Sequence, residues 1–241
     1  MDVAYAAAYA DLYRHHWWWR VREEILLEKI RGILAGRRDA RILDVGCGAA
    51  LFFDALESFG RIEGIESDAS AVEQSGKWRG RIVVGELDDS FEPDAPFDLI
   101  LMLDVLEHLP DPDLLLRRAA TILAPAGHIL ATVPAFKWLW TAHDDLNHHL
   151  TRYTAGDLRR VFERAGLAPV KSGYLFQSLV VPKLLVRVKE SMISRSIRVP
   201  QTPSPAINQA VQAWFRLEHR VAGWLPFGGS VLAVAVKDPP R

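Results

Sequence analysis

The sequence predicts an α/β fold built on a mostly parallel sheet. The first observation is that short apolar runs alternate with helical segments. The predicted strands are residues 41–45, 61–66, 81–84, 96–103 and 128–133. The second observation is the length of 241 residues, which fits one α/β domain with additions. A strand–helix order repeated in this way implies parallel strands joined by right-handed crossovers.

Composition narrows the class of protein. A formal net charge of −1 argues against a nucleic-acid-binding face as the main function. A single cysteine, Cys47, excludes a disulfide framework and fits a reducing compartment. The first residues lack the pattern of a signal peptide, and no apolar run reaches the roughly 18 residues of a spanning helix. We therefore expect a cytoplasmic protein, with attachment to a membrane surface as the alternative.

Residues 41–51, RILDVGCGAAL, organise the rest of the chain. A buried strand ends near Asp44 and opens into a glycine turn at Gly46 and Gly48, after which a helix begins. Glycines let the backbone approach a ligand, and a helix N-terminus presents unpaired N–H groups. The dinucleotide fingerprint would need a third glycine where Leu51 stands. A carboxylate at Asp44 instead suits a ligand that carries an ammonium group.

This stretch resembles motif I of the class I S-adenosylmethionine-dependent methyltransferases, from which it departs at Ala50, usually a glycine there. Residues 16–26, HWWWRVREEIL, resemble a segment ahead of motif I in one bacterial branch of that family. Residues 97–109 resemble motif IV, and Leu123, Pro125 and Gly127 match a turn before the fifth strand. The resemblance implies a Rossmann-like, doubly wound, seven-stranded sheet with an antiparallel last strand. It also implies S-adenosylmethionine as the cofactor and S-adenosylhomocysteine as its product.

Several residues become candidates for holding that cofactor. Glu66 stands at a strand end about 20 residues beyond the glycine turn, where a ribose-binding acid belongs. The resemblance places Glu86 beside the adenine, with Asp88 as a rival. The aromatic residues of the N-terminal segment are expected either to pack it onto the sheet or to form a lid over the cofactor, with Arg22 near the methionine carboxylate. The full set of predicted cofactor contacts is Trp18, Arg22, Asp44, Gly46, Cys47, Gly48, Glu66, Ser67, Glu86, Leu87, Leu103, Asp104 and His108.

The acceptor chemistry is expected in residues 136–153, a loop after the fifth strand that is crowded with aromatic and titratable side chains. A neutral imidazole can take a hydroxyl proton during methyl transfer, so His143 and His148 are candidate general bases. Asp144 is adjacent and able to orient one of them. Together with His149 these residues include metal-ligand types, but they lack the helical spacing of a zinc pair, and no metal is predicted.

The chain is predicted to be one methyltransferase domain with two additions. Residues 1–36 form a helical lid, and residues 37–176 and 230–241 form the cofactor-binding core. Residues 177–229 form a helical insertion that acts as a substrate cap or an oligomer contact. Its stretch 179–189 is apolar with basic residues along it, so a helix at a membrane surface is the minority interpretation.

The predicted function is methyl transfer from S-adenosylmethionine to an oxygen of a small molecule, a sugar or a lipid-linked intermediate. Two alternatives stay open. A protein that binds S-adenosylmethionine without catalysis is suggested by Ala50 and by the insertion, and an NAD-dependent oxidoreductase by the glycine turn. The acceptor is not identified by any residue, and both a monomer and a homodimer fit the sequence.

Overall fold

The computed structural model describes residues 3–192 and 200–237. Its centre is a seven-stranded sheet in the order β3-β2-β1-β4-β5-β7-β6. The strands are β1 (Ala40–Val45), β2 (Gly60–Glu66), β3 (Ile82–Val84), β4 (Phe97–Leu103), β5 (Leu123–Pro134), β6 (Leu167–Leu175) and β7 (Ser230–Lys237). Only β7 runs antiparallel to its neighbours, β5 and β6. The predicted Rossmann-like, doubly wound fold is confirmed.

Helices cover both faces of the sheet. They are α1 (Val3–His15), α2 (Trp17–Leu34), α3 (Phe53–Leu56), α4 (Ala69–Glu73), α5 (Pro112–Ile122), α6 (Ala142–Leu146), α7 (Ala155–Arg164), α8 (Val180–Met192) and α9 (Pro205–Ala222). One core contains α5 and α7 with residues such as Leu43 and Ile100 of the sheet. The other contains α2, α3 and α9 with Ile42 and Leu99. Alternate residues of one strand therefore enter opposite cores, as a sheet buried on both faces requires.

The N-terminal segment, predicted to be helical, contains α1 and α2, which are separated at His16. His16 adopts an extended conformation between α1 and α2, and its Nδ1 accepts the N–H of Trp18 at 3.2 Å. Burial lowers the pKa of His16 to about 4, so the ring is neutral and able to accept. Asn208 of α9 accepts the N–H of Trp17 at 2.8 Å and donates to the carbonyl of His15 at 2.7 Å. These bonds satisfy the backbone groups that the break exposes.

The helix that was expected after the glycine turn is short. The observed α3 has one turn and continues as a 3-10 turn, Glu57–Phe59. Ala50, which replaces the usual glycine, adopts a φ of 55°, and its N–H still donates to the carbonyl of Cys47 at 3.0 Å. The alanine therefore accepts a left-handed conformation and the turn is kept.

Within the described part of residues 177–229, α8 and α9 differ in burial. α9 packs on α2, where Trp17 stacks on Phe215 with ring centroids 4.8 Å apart. α8 buries no residue fully, and it is tied to the loop after β5 by bonds from Ala142 N–H to Glu190 and from Arg187 to the Trp140 carbonyl, both 3.0 Å. In the described part of the chain, every helix is too short or too polar to cross a bilayer.

Candidate active site

The candidate site lies where the chain changes direction across the sheet. β1 pairs with β2 on one side and with β4 on the other, and β4 continues to β5. The crossovers from β1 and β4 therefore leave in opposite directions, which opens a crevice beyond the carboxyl ends of these strands. The glycine turn follows β1, Glu66 ends β2 and Asp104 follows β4. These three elements therefore lie at the same edge of the sheet.

The glycine turn is tight at one glycine and open at the other. A Cβ on Gly46 would lie 2.8 Å from Val105 Cγ2, whereas a Cβ on Gly48 would meet no atom within 4 Å. Gly48 has a φ of 55° and its N–H donates to Glu66 Oε2 at 2.8 Å. The turn thus leaves room for a ligand against the Gly48 backbone, with the Glu66 carboxylate beside it.

Asp44 is a buried carboxylate beneath α1 and α2, the helices of the predicted lid. Burial raises its pKa to about 7, although the Arg22 guanidinium works in the opposite direction. Asp44 lines a cleft of about 70 Å³ between the lid helices and the glycine turn. The other lining residues include Tyr9, Tyr13, Trp19, Arg22, Cys47 and Leu103. A cationic group entering this cleft would stabilise the ionised form of Asp44.

Arg22 links the lid to the end of β4. Its NH2 group donates to Asp104 Oδ2 and to Thr132 Oγ1, both at 2.8 Å. Thr132 in turn donates to Asp104 Oδ1 at 3.0 Å. The centre of the Trp18 ring lies 5.3 Å from the guanidinium carbon of Arg22. Trp19, and not Trp18, is among the residues that line the cleft. Trp18, predicted as a cofactor contact, therefore supports Arg22, and its neighbour Trp19 faces the cleft.

The predicted adenine region lies beyond β3. Glu86 is exposed and lines a second cavity of about 480 Å³ with Asp88. The Asp88 carboxylate already accepts the N–H and the hydroxyl of Ser90, at 2.8 and 2.6 Å, which favours Glu86 for a ligand. The Leu87 side chain is buried in the core, so only the backbone of this residue is available to a ligand. The Ser67 hydroxyl donates to Glu66 Oε1 at 3.4 Å. The smaller cleft, not this larger cavity, carries the glycine turn and Asp44.

Asp144 anchors the loop after β5. It caps α6 by accepting the N–H of Thr141 at 2.8 Å, and it receives two bonds from Arg152, at 2.8 and 2.7 Å. His149 Nδ1 lies 2.8 Å from Asp144 Oδ1. Asp144 therefore orients His149, while the expected orientation of His143 or His148 by Asp144 stays a prediction. Both of those residues are exposed, and the roles predicted for them stay predictions.

Glu107 was missed by the sequence reasoning. It is fully buried, and burial together with the nearby Asp104 raises its pKa well above the usual range. His149 Nε2 lies 3.9 Å from Glu107 Oε1, and the His108 and His149 rings are 5.0 Å apart. His108 thus faces the loop after β5 as well as the end of β4, near the predicted cofactor. An acid directly before His108, at the end of a central strand, is the signal that could have identified Glu107.

The fold is that of a Rossmann-like α/β protein. Its candidate ligand site is the crevice at the carboxyl ends of β1 and β4, where the strand order of the sheet reverses. The sequence matches the model of the methyltransferase domain family over residues 16–172. This match covers more than half of the chain, so the protein belongs to that family of S-adenosylmethionine-dependent enzymes.

Individual relatives are more distant. The ubiquinone biosynthesis O-methyltransferase of Alkalilimnicola ehrlichii is 34% identical over 115 residues, which are 43% of this chain and 45% of that one. The chain spans about half the length of the curated relatives it matches.

Solved structures share the fold at lower identity. A complex of the Haloferax volcanii Trm112 methyltransferase activator and a methyltransferase matches with a TM-score of 0.60 and 21% identity, over 99% of this chain and 96% of that one. Phosphoethanolamine N-methyltransferase 2 of Haemonchus contortus, in complex with S-adenosylmethionine, matches with a TM-score of 0.54 and 16% identity. The match covers 84% of this chain and 49% of that one. At these identities the similarity shows the fold alone.

Proposed function

We propose that this chain transfers a methyl group from S-adenosylmethionine to an oxygen of a small acceptor. The observation that carries the proposal is the pairing of the open Gly48 backbone with two carboxylates, the buried Asp44 and Glu66. The name of the Alkalilimnicola relative supports an oxygen as the acceptor atom. The acceptor itself is a proposal of class only: a small molecule, a sugar or a lipid-linked intermediate.

The residues of the crevice fit the cofactor in charge and shape. Asp44 suits the ammonium of the methionine portion, since a cation would stabilise its buried charge. Gly48 leaves open space for a ligand, and Glu66 can accept hydrogen bonds from two ribose hydroxyls. Arg22 suits the methionine carboxylate, for which it would exchange part of its contact with Asp104. Glu86 is the acid available to the adenine amine.

The chemistry needs placement more than reactive side chains. When bound, S-adenosylmethionine supplies a methyl group activated by its sulfonium. The protein contributes alignment and exclusion of water, and both depend on the lid formed by α1 and α2. Arg22 and the ring of Trp18 join this lid to Asp104 at the end of β4. The acceptor would approach from the loop after β5, on the other side of Asp104.

The acceptor hydroxyl must lose a proton as the methyl group arrives. We keep His143 and His148 as proposed general bases, because their exposed rings lie on that loop. His149 is the histidine of the loop that a carboxylate orients. Removal of each base candidate is expected to lower turnover while cofactor affinity stays unchanged.

α8 supports an acceptor with an apolar portion. Val181, Leu185 and Met192 are more than 60% exposed, and the helix is bonded to the loop after β5. Lys183 of the same helix is half-buried near Asp104 and Asp144, and burial lowers its pKa to about 8. We propose that α8 guides the acceptor to the crevice as part of the helical cap of residues 177–229. We also propose that the protein is cytoplasmic. The exposed apolar face of α8 would then suit contact with the surface of a membrane.

A second candidate function is binding of S-adenosylmethionine without catalysis. The favouring observation is the small volume of the cleft beneath the predicted lid, about 70 Å³, together with the Arg22–Asp104 pair that joins this lid to the end of β4. The NAD-dependent alternative finds less support, because Leu51 stands at the position of the third glycine.

Calorimetry with S-adenosylhomocysteine tests the cofactor placement. Asp44→Ala and Glu66→Ala should each weaken binding by about 1–3 kcal/mol, through loss of charge-assisted bonds. Glu73→Ala, an exposed acid on α4, is the matched control and should bind like the wild type. Wild-type affinity in both variants would refute the placement, and binding of NADH instead would favour an oxidoreductase.

A further inference from the structure

Three ligand-type side chains meet beyond the end of β4, on the acceptor side of Asp104. Glu107 and His108 belong to the 3-10 turn Leu106–His108, and His149 follows α6. One ligand atom from each lies within 4.8 Å of the other two. The Leu150 N–H donates to the Glu107 carbonyl at 2.8 Å, which holds the two segments together.

Glu107 points into this cluster without a hydrogen-bond partner. Its side chain has no exposure to solvent, and neither carboxylate oxygen is bonded within the described residues. The neighbouring cations are committed elsewhere, since Arg22 donates to Asp104 and Arg152 donates to Asp144. A buried, unsatisfied carboxylate is costly, and unpaired groups of this kind point to an ion or a functional role.

Each histidine of the cluster has an oxygen atom beside its Nδ1. His149 Nδ1 is bonded to Asp144 at 2.8 Å, and His108 Nδ1 lies 3.4 Å from the carbonyl oxygen of His148. When Nδ1 donates to an oxygen, the lone pair is left on Nε2. An oxygen partner behind each imidazole is the arrangement that orients metal-binding histidines. The backbone of His148 has a φ of 57°, a strained conformation that sets its carbonyl in this position.

We propose that Glu107, His108 and His149 bind a divalent transition-metal cation of the Zn²⁺ type, with Asp144 orienting His149. Two imidazoles and one carboxylate are a donor set that suits zinc and its neighbours better than magnesium. Three protein ligands leave a position open for a further oxygen. Neighbouring ligands of tetrahedral zinc are roughly 3.3 Å apart, so the side chains close inward by about an ångström on binding.

The open position gives the metal a role at the acceptor, and this part rests on the proposed function. A hydroxyl bound to such a cation loses its proton more readily, just as metal-bound water does. The proton passes to one of the proposed general bases on the loop that carries His149, either His143 or His148, and its exposed ring releases the proton to solvent water. The hydroxyl oxygen then forms a bond to the methyl carbon as the carbon–sulfur bond breaks. His149 thereby acts through the metal rather than as a general base.

The test measures metal binding directly, without S-adenosylmethionine. Protein stripped with a chelator is titrated with Zn²⁺ by calorimetry, and with Co²⁺ by its visible absorption. We expect one ion per chain, and we expect Mg²⁺ not to compete. His149→Gln and His108→Gln should each weaken binding about tenfold or more. His143→Gln, on the same loop but outside the cluster, should bind as the wild type does.

Folding is checked separately by circular dichroism. His108 is exposed, so H108Q keeps the test valid if Glu107→Gln fails to fold. No binding by the wild type, or equal binding by H149Q, H108Q and the control, would overturn the proposal. Because the titration omits the methyl donor, its failure is separate from a failure to bind S-adenosylhomocysteine.

Discussion

The buried ion pair between Arg152 and Asp144 gives the most quantitative stability prediction. The two side chains are 2% and 0% exposed, and two bonds of 2.8 and 2.7 Å join them. The third guanidinium nitrogen donates to the carbonyl of Ala135 at 2.8 Å. Arg152→Met removes all three bonds and leaves a buried carboxylate and a buried carbonyl without these donors. Breaking a buried pair in this way costs about 3–5 kcal/mol.

Urea unfolding followed by tryptophan fluorescence measures that loss as a change in midpoint at constant slope. Arg164→Met is the control, since Arg164 also makes two bonds to a carboxylate, that of Asp113, but its side chain is 54% exposed. An exposed pair is expected to contribute about 0–1 kcal/mol. Adding Asp144→Asn to Arg152→Met should recover part of the loss, because the stranded charge is removed. A loss in Arg152→Met no larger than in the control would refute the reasoning.

Two further predictions concern the glycine turn and pH. Gly48→Ala should cost about 1–2 kcal/mol of stability, because its φ is 55° and its Cβ meets no atom, yet it should weaken S-adenosylhomocysteine binding clearly. Thermal unfolding measures the loss of stability, and calorimetry measures the loss of binding separately. Unchanged affinity of Gly48→Ala for S-adenosylhomocysteine would contradict the inference that the ligand lies against the Gly48 backbone. Burial opposes ionisation of Asp144, but bonds from His149 and Arg152 outweigh it and lower the pKa. Its contribution is therefore present above about pH 4 and is lost as pH falls further. The stability difference between wild type and Asp144→Asn should begin to shrink below about pH 4 and should keep shrinking as pH falls toward the lowered pKa of Asp144. A difference that stays constant below pH 4 would contradict this.

The sequence identified the parallel part of the fold because its signals are local. A buried strand followed by a glycine turn, and an acid at the next strand end, are readable from neighbouring residues, and both lie where expected. The break at His16 was not readable, because it depends on Asn208, which is distant in the chain. The pattern of apolar residues alone favours a helix that continues through His16.

The acceptor side shows the limit more clearly. Asp144 was recognised as an orienting acid, but its partner depends on a turn in which His148 has a positive φ. That turn brings the His149 ring to Asp144. The meeting of His149 with Glu107 depends on packing between two loops, which no spacing rule contains. The sequence therefore indicated which types of residue form the acceptor side. Which of these residues meet in space could be seen only in the structure.

The most direct test of the proposed activity follows the methyl group itself. Purified protein is incubated with methyl-labelled S-adenosylmethionine and an extract of the source cells, and organic and aqueous phases are counted with Asp44→Ala as the control. The account predicts label in a small acceptor, with an equal amount of S-adenosylhomocysteine, and little of either with Asp44→Ala. Label in the organic phase would identify a lipid-linked acceptor and support a membrane role for α8. Firm cofactor binding with no transfer above the control would contradict catalysis and leave a binding protein.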